Sequence, residues 1–295
     1  MNPKTFRGAT KSLAATVRNF LGSLRREWRI LRATPPDDAS WIFVVGCYNS
    51  GTTLLADLLG RHPLISALPT EGHFLSRDLV KDYEVGLPRM WVKNEDLFRL
   101  RENDPGPSVR RLKKEWCARL DTSKPFLLEK SPPNGARTRW LQHHFENPHF
   151  IVIVRDGFAV SEGIRRKAEP PGGRWSIDEA AWQWARSNEV LLEDSERLAK
   201  VVWLRYEDLT ERPQATLQKI SDFLGIPWSD HWLPDDSIAV HERRERLSNL
   251  NAESHGRLSR EDIDVIQDKA QKMLEQFGYI RPQSGPPEGI PREVQ

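Results

Sequence analysis

A short apolar stretch near residue 50 leads directly into a turn made of glycines and hydroxyl side chains. The apolar stretch covers residues 41–45, and the turn reads GCYNSGTT over residues 46–53. The residues after it are apolar at helical spacing up to Gly60. A strand, a glycine-bracketed turn and a helix N-terminus form an anion site, because the N–H groups of the loop and the helix dipole point to the same place. The pattern therefore indicates binding of a phosphate or sulfate group.

The turn has the spacing of a P-loop but lacks the P-loop lysine. A Walker A sequence has Lys and then Ser or Thr after its second glycine, so that Lys meets the β- and γ-phosphates and the hydroxyl holds Mg²⁺. The missing lysine favours a nucleotide without a triphosphate, although any tight strand-to-helix turn needs glycine for backbone reasons alone. The residues predicted to bind are Asn49, Ser50, Gly51, Thr52, Thr53 and Leu54.

This loop resembles the 5′-phosphosulfate loop of sulfotransferases that use 3′-phosphoadenosine 5′-phosphosulfate (PAPS). In that family the loop typically reads Pro-Lys/Arg-Ser-Gly-Thr-Thr, and Asn49 stands here at the place of the basic residue. The resemblance extends over most of residues 41–280. It implies a P-loop-like α/β fold with a single sulfotransferase domain, and PAPS as the sulfate donor without a metal ion.

The segment FIVIVRD resembles the strand that leads to the 3′-phosphate of PAPS in this family. Its arginine is Arg155, and an arginine at a strand end offers a bidentate fork for a dianion. The family usually places a serine eight residues later, where this chain has Gly163. Ser161 is therefore a candidate ligand, with Arg165 and Arg166 as possible substitutes.

The segment RYEDLTERPQ is similar to the family segment in which a tyrosine contacts the adenine. Tyr206 is the matching residue, and a tyrosine packed in the core would fit the same pattern. Residues 250–259 resemble the closing segment of tyrosylprotein-type members, which implies that they fold over the cofactor.

The segment EKSPPN resembles the Lys-Ser-Pro element of tyrosylprotein and carbohydrate sulfotransferases. The resemblance places Lys130 at the oxygen between phosphate and sulfate, where a cation stabilises the charge that develops as the bond breaks.

The acceptor hydroxyl must also lose a proton, which calls for a base. Glu71 follows Ser50 by 21 residues, one residue off the spacing of the catalytic glutamate in tyrosylprotein members. His73 is the second candidate base.

Short β-branched stretches separated by helical patterns predict an α/β fold, in which a parallel sheet of about five strands carries helices on both faces. Residues that follow such strands meet at one edge of the sheet, and Glu71, Lys130, Arg155 and Tyr206 all do so. Asn134 is predicted to cap a helix that runs to about Phe145. The predicted strands are 41–45, 64–68, 126–128, 150–154 and 201–204.

Charge is unevenly distributed along the 295 residues, and this sets the predicted domain boundaries. Residues 1–34 carry eight Lys or Arg and one acid, so the net charge of +2 belongs to the N-terminus and no nucleic-acid partner is expected. Residues 1–36 are predicted to be a basic amphipathic extension and linker, 37–281 the sulfotransferase domain, and 282–295 a disordered tail. The helical stripe over 13–31 could lie on an anionic membrane surface, pack on the domain or form a homodimer contact.

The two cysteines form no disulfide framework, and no apolar run approaches the length of a membrane span. We therefore expect a cytoplasmic protein that could touch a membrane peripherally. The predicted activity is sulfuryl transfer from PAPS to a hydroxyl of a small molecule, carbohydrate, lipid or peptide. The alternatives are a kinase with a degenerate P-loop and a non-catalytic binding protein of the same fold.

Overall fold

The computed structural model describes residues 22–233, 238–240, 243–245 and 247–280. The predicted tail, and the part of the predicted amphipathic stripe that precedes residue 22, lie outside these residues.

A parallel sheet of five strands forms the centre of the molecule, in the order β2-β3-β1-β4-β5. This confirms the predicted fold class and strand number. All residues of β1 are buried, and their side chains alternate between two apolar clusters on opposite faces of the sheet. The strands are β1 (Ser40–Val45), β2 (Ile65–Ala67), β3 (Phe126–Lys130), β4 (His149–Val154) and β5 (Val201–Arg205).

Helices cover both faces of this sheet. Leu55 of α2 and Leu217 of α10 pack on the face that contains Ile42, whereas Trp184 of α8 and Leu274 of α12 pack on the face that contains Phe43. The helices are α1 (residues 22–32), α2 (Thr52–Leu59), α3 (Gly72–Leu75), α4 (Glu95–Phe98), α5 (Val109–Cys117), α6 (Thr138–His144), α7 (Gly157–Lys167), α8 (Ile177–Ser195), α9 (Tyr206–Glu211), α10 (Pro213–Leu224), α11 (Asn251–His255) and α12 (Arg260–Gln276).

Short 3₁₀ helices and one hairpin complete the described structure. The 3₁₀ helices are η1 (Trp91–Asn94), η2 (Pro132–Ala136) and η3 (Asp230–Trp232). Strands β6 (Ile238–Val240) and β7 (Arg243–Glu245) pair in antiparallel fashion. The sequence patterns did not indicate this hairpin.

The predicted helix cap at Asn134 is wrong. Asn134 lies inside η2, and α6 begins only at Thr138. The side chain of Asn134 is fully buried and donates a hydrogen bond to a carboxylate oxygen of Glu129. The buried carboxylate therefore binds the amide that the sequence pattern assigned to a helix N-terminus.

Helix α1 contacts the domain with the opposite face from the one that its apolar pattern suggests. Ile30 is buried, while Trp28 and Leu31 are 57% and 70% exposed. The guanidinium groups of Arg26 and Arg29 donate to the carbonyl oxygens of residues 75 and 118 at 2.9 and 2.8 Å.

The domain boundary at residue 37 stays a prediction. Within the described ranges, no helix is both long enough and apolar enough to span a membrane.

Candidate active site

The loop between β1 and α2 exposes backbone N–H groups at the carboxyl edge of the sheet. The first hydrogen bond of α2 runs from the N–H of Leu55 to the carbonyl of Gly51 at 3.0 Å. The preceding N–H groups, those of residues 52–54, lie in the first turn, where a helix has no carbonyl partners of its own. The Ser50 hydroxyl is buried and has no hydrogen-bond partner among the described residues. The loop thus presents donors and a free hydroxyl in one place.

Gly51 is required by both its conformation and its neighbour. Its φ of 96° lies in the left-handed region, which residues with a Cβ adopt rarely. A Cβ at this position would lie 2.6 Å from the Cδ2 atom of Tyr206. The tyrosine ring therefore packs directly beneath the loop.

Lys130 joins the loop to the candidate base. Its ammonium group donates to the hydroxyl of Thr53 at 2.9 Å and to the carboxylate of Glu71 at 2.8 Å. The side chains of Lys130 and Glu71 are 11% and 21% exposed, so this ion pair is largely shielded from solvent. The carboxyl ends of β2 and β3 supply the two residues, as the parallel topology requires.

His73 lies behind Glu71 and is buried. Its Nδ1 atom is 3.6 Å from the second carboxylate oxygen of Glu71 and 3.0 Å from the hydroxyl of Ser131. Burial lowers the pKa of His73 to about 3, and the nearby Arg137 and Lys130 act in the same direction. The imidazole is therefore neutral at physiological pH and a weak base, which favours Glu71 for proton abstraction.

A second carboxylate, that of Glu129, lies beneath Glu71 and His73. The sequence patterns did not indicate a role for it. It is fully buried and accepts hydrogen bonds from the Gly72 N–H at 2.9 Å, the Ser131 hydroxyl and the Asn134 amide. Burial raises the pKa of Glu129 to about 7. A Cβ at Gly72 would lie 2.7 Å from the Glu129 carboxylate. Glu129 thus holds Gly72, the first residue of α3, directly after Glu71.

Arg155 follows β4 and lies on the other side of the loop. Its Nη1 atom donates to the carbonyl of Asn49 at 3.0 Å, and its Nε atom donates to the side chain of Asn251 at 2.7 Å. It does not pair with Asp156, which caps the N-terminus of α7 instead. No carboxylate among the described residues forms an ion pair with Arg155, so its charge remains available to an anion.

Cys47 is the only thiol in the loop, and it is buried. Its side chain is 1% exposed, and burial raises its pKa to about 12. A thiol with such a pKa stays protonated at neutral pH, so Cys47 has a packing role and is not a nucleophile.

Comparison with known proteins agrees with this geometry. The pattern that defines the family described as "Sulfotransferase family" matches residues 41–230, which is more than half of the chain. The chain belongs to the sulfotransferase family. It is therefore an enzyme of sulfuryl transfer, and family membership favours this activity over the kinase and the non-catalytic binding protein.

Two relatives illustrate the similarity within this family. The chain is 25% identical over 283 residues to protein-tyrosine sulfotransferase A of Caenorhabditis elegans, and the match covers 86% of this chain and 71% of that protein. It is 26% identical over 270 residues to protein-tyrosine sulfotransferase 2 of Gallus gallus, with 83% and 71% covered.

Solved sulfotransferase structures share the fold. Sulfotransferase STF9 from Mycobacterium avium matches with a TM-score of 0.53 and 13% identity, over 91% of this chain and 82% of that chain. The sulfotransferase domain from the curacin biosynthetic pathway matches with a TM-score of 0.51 and 22% identity, over 83% of this chain and 99% of that chain.

The candidate replacements for the family serine near the 3′-phosphate are all engaged elsewhere in this sulfotransferase. The Ser161 hydroxyl is fully buried and donates to the carbonyl of Gly157 at 2.7 Å. Arg165 forms a two-pronged ion pair with Asp262, and Arg166 pairs with Glu162. The geometry thus gives no support to a phosphate contact by any of the three.

Tyr206 is a buried support of the site. It is 4% exposed, and its ring lies 4.2 Å from the guanidinium of Arg155. Its hydroxyl donates to the Ser248 carbonyl at 3.2 Å and accepts from the Leu250 N–H at 3.3 Å. These contacts hold residues 248–251 against the loop. The predicted contact with adenine remains a prediction.

Arg89 is a further polar residue at the site that the sequence patterns did not single out, and Asn251 lies in the segment 250–259 that the family resemblance placed over the cofactor. Asn251 bridges Arg155 and Glu207, while Arg89 donates to the side chain of Asn49. Within the described part of the chain, no group of three or more His, Cys, Asp or Glu residues could hold a metal ion.

Proposed function

We propose that this sulfotransferase moves a sulfuryl group from PAPS to a hydroxyl acceptor by in-line displacement, with Glu71 as the general base and Lys130 as the cation at the leaving oxygen. The observation that carries this proposal is the position of the Lys130 ammonium, which contacts both the phosphate-type loop at Thr53 and the carboxylate of Glu71. One side chain thus joins the anion site to a base.

The residues of the loop fit a PAPS molecule. The N–H groups of residues 52–54 and the unpartnered hydroxyl of Ser50 would hold the 5′-phosphosulfate. Arg155, which has no carboxylate partner among the described residues, would hold the 3′-phosphate. PAPS, when bound, supplies the sulfuryl group that is transferred.

The side chains around Lys130 can perform the two remaining tasks of the reaction. The Glu71 carboxylate accepts the proton of the acceptor hydroxyl as that oxygen attacks, and general base catalysis of this kind contributes roughly 10²–10⁴-fold. Lys130 stabilises negative charge at the oxygen that departs, and such fixed charges act more strongly on the transition state than on the ground state. The Glu71–Lys130 contact keeps both groups oriented before the acceptor arrives.

An acceptor with an aromatic ring fits the surface next to Glu71. Phe74, Tyr83 and Val85 are 41%, 53% and 42% exposed, and the Phe74 and Tyr83 rings are 5.8 Å apart. Phe74 lies one turn after Glu71, since its N–H donates to the Glu71 carbonyl. The relatives named as protein-tyrosine sulfotransferases support the same class, and we propose a tyrosine side chain of a peptide as the acceptor.

Replacing Phe74 should affect the acceptor and leave the donor untouched. An aromatic contact contributes about 0.5–1.5 kcal/mol beyond area burial, so Phe74→Ala should raise KM for a tyrosine peptide by roughly two- to tenfold. Affinity for 3′-phosphoadenosine 5′-phosphate (PAP), measured by calorimetry, should not change. Equal KM values for the variant and the wild type would show that the acceptor binds elsewhere.

Labelled PAPS, offered with a tyrosine peptide, a phenol, a sugar and a lipid alcohol, tests the activity and the acceptor class together. We expect label on the two phenolic acceptors. A parallel reaction with γ-labelled ATP and Mg²⁺ should give no product, and phosphoryl transfer there would support the kinase instead. Binding of PAPS without transfer to any acceptor would support the non-catalytic binding protein.

A further inference from the structure

The phosphosulfate loop of this chain contains no basic side chain between residues 46 and 53. Position 49, where related loops have Lys or Arg, is an asparagine with a φ of 63°. The Asn49 amide group packs against α7, because a Cβ at Gly163 would lie 3.2 Å from the Asn49 Cγ atom. The departures at positions 49 and 163 are therefore in contact, and glycine leaves room for the amide.

Arg89 brings a guanidinium to this loop from a distant part of the chain. Its Nη1 atom donates to the Oδ1 atom of Asn49 at 3.1 Å. Asn49 therefore has Arg89 on its side chain and Arg155 on its carbonyl oxygen. Neither arginine forms an ion pair with a carboxylate in the described ranges, whereas the nearby Arg165 and Arg166 both do.

The backbone around Arg89 is held firmly in an uncommon conformation. Its φ of 59° lies in the left-handed region, which non-glycine residues adopt rarely and at an energetic cost. Its N–H donates to the buried carboxylate of Asp82 at 2.7 Å. The carbonyl of Pro88 accepts from the Trp175 indole at 2.8 Å. The fold thus maintains a strained backbone that places this guanidinium at the loop.

Arg89 approaches the loop from the side on which the proposed base lies. Tyr83 follows Asp82 in this segment, and its ring packs on Phe74 with the ring centroids 5.8 Å apart. Phe74 in turn lies against His73, with the two ring centroids 3.9 Å apart. The segment 81–89 therefore packs against the residues that follow Glu71, on the acceptor side of the loop.

We propose that Arg89 supplies from outside the loop the cation that is missing at position 49, and that it binds the sulfate end of the donor. This inference rests on the proposed use of PAPS. Two guanidinium groups without carboxylate partners on one residue are costly, and a donor that offers a separate anionic group to each of them removes that cost. The fork of Arg89 fits a sulfate oxygen pair.

Donor affinity separates Arg89 from Arg155 without requiring turnover. We expect Arg89→Gln to weaken PAPS binding about 30-fold, as expected for the loss of one partner of a shielded charge pair. PAP lacks the sulfate, and its affinity should fall by no more than about threefold. The matched control is Arg77→Gln in the same connection, since Arg77 is exposed and pairs with Glu27. It should bind both nucleotides like the wild type.

Two further variants keep this test independent of folding problems. Arg89→Lys retains the charge without the fork, and its PAPS affinity should lie between those of the wild type and Arg89→Gln. In the double variant N49R/R89Q, a loop cation is restored, and recovery of PAPS affinity would support the proposal. An equal loss of PAP and PAPS affinity, or no loss of either, would overturn it. If the wild type binds neither nucleotide, the proposed function itself fails.

Discussion

Glu71 and His73 lie side by side, but their surroundings suit different tasks. Glu71 is partly accessible and contacts Lys130, whereas His73 is buried with a pKa lowered to about 3 by burial and nearby cations. We predict that Glu71→Gln reduces turnover roughly 10²–10⁴-fold with nearly unchanged PAP affinity. His73→Asn should cost much less. A dead His73 variant beside an active Glu71 variant would reverse the two roles.

Glu129 gives a pH dependence that can be measured without substrate. Its pKa is raised to about 7 by burial, above the ordinary 4.5, so the folded chain holds this proton over a range in which the unfolded chain has released it. The contribution of Glu129 to the unfolding free energy therefore decreases as pH rises from about 4.5 to 7. At about 1.4 kcal/mol per pKa unit, the decrease is on the order of 3 kcal/mol.

We predict that Glu129→Gln removes this decrease. The Asn134 Oδ1 atom has no partner among the described residues, so an amide flip could satisfy the new glutamine. Chemical denaturation at several pH values should show the variant gaining stability relative to the wild type as pH rises from 4.5 to 7. Parallel stability curves would contradict the raised pKa. His73 has a pKa lowered to about 3, so its contribution to the unfolding free energy increases as the pH rises from about 3 to 6.5. Both proteins contain His73, and this contribution therefore cancels when the variant is compared with the wild type.

At the scale of elements, residues that follow regular strands could be predicted from the sequence. Glu71, Lys130 and Arg155 each come after an apolar run, and parallel strands bring such positions to one edge. Arg89 could not be found in this way. It lies in an irregular segment between α3 and η1, where no periodicity fixes the direction of a side chain. Its contact with Asn49 depends on tertiary bonds to Asp82 and Trp175.

Glu129 was missed for a different reason. A charged residue at the end of an apolar strand suggests a surface position, since carboxylates are rarely buried without partners. Its partners are Gly72, Ser131 and Asn134, and the sequence gives no indication that Gly72 returns to this strand. The burial of Glu129 is therefore a consequence of the tertiary fold.

Helix α1 should be dispensable for donor binding. Arg26 and Arg29 of this helix donate to the carbonyl oxygens of residues 75 and 118, and the helix accepts hydrogen bonds from Arg77 and Lys114. These partners lie outside the loop. A chain that starts at Asp37 should bind PAP within about twofold of the full chain. Its unfolding free energy should fall by no more than about 1–2 kcal/mol, because the lost polar contacts are partly exposed. If that chain folds and does not bind PAP, the helix belongs to the site.

At the scale of the whole molecule, the topology explains how an anion site can form without a basic overall composition. Residues 35–295 carry more acidic than basic side chains. Cations from separate elements nevertheless meet at one edge of the sheet, with Lys130 on β3 and Arg155 after β4. Local convergence of charge, rather than net charge, thus creates the anion site.

Binding of PAP should need no metal and should depend on Arg155. We predict equal PAP affinity in EDTA and in Mg²⁺, since the loop lacks the residues of a Walker site. Arg155→Ala should cost about 2–4 kcal/mol of that binding free energy, as for a shielded charge pair that loses one partner. An absolute Mg²⁺ requirement, or unchanged affinity in the variant, would exclude this donor site.

Transfer of labelled sulfate from PAPS to a tyrosine peptide in a single turnover, in the presence of EDTA, tests the central claim most directly. The wild type should label the peptide. Lys130→Met, which keeps chain length and loses the contacts to Thr53 and Glu71, should bind PAP and react roughly 10²–10³-fold more slowly, as expected when one electrostatic donor to the transition state is lost. Transfer at the wild-type rate by Lys130→Met would contradict the account.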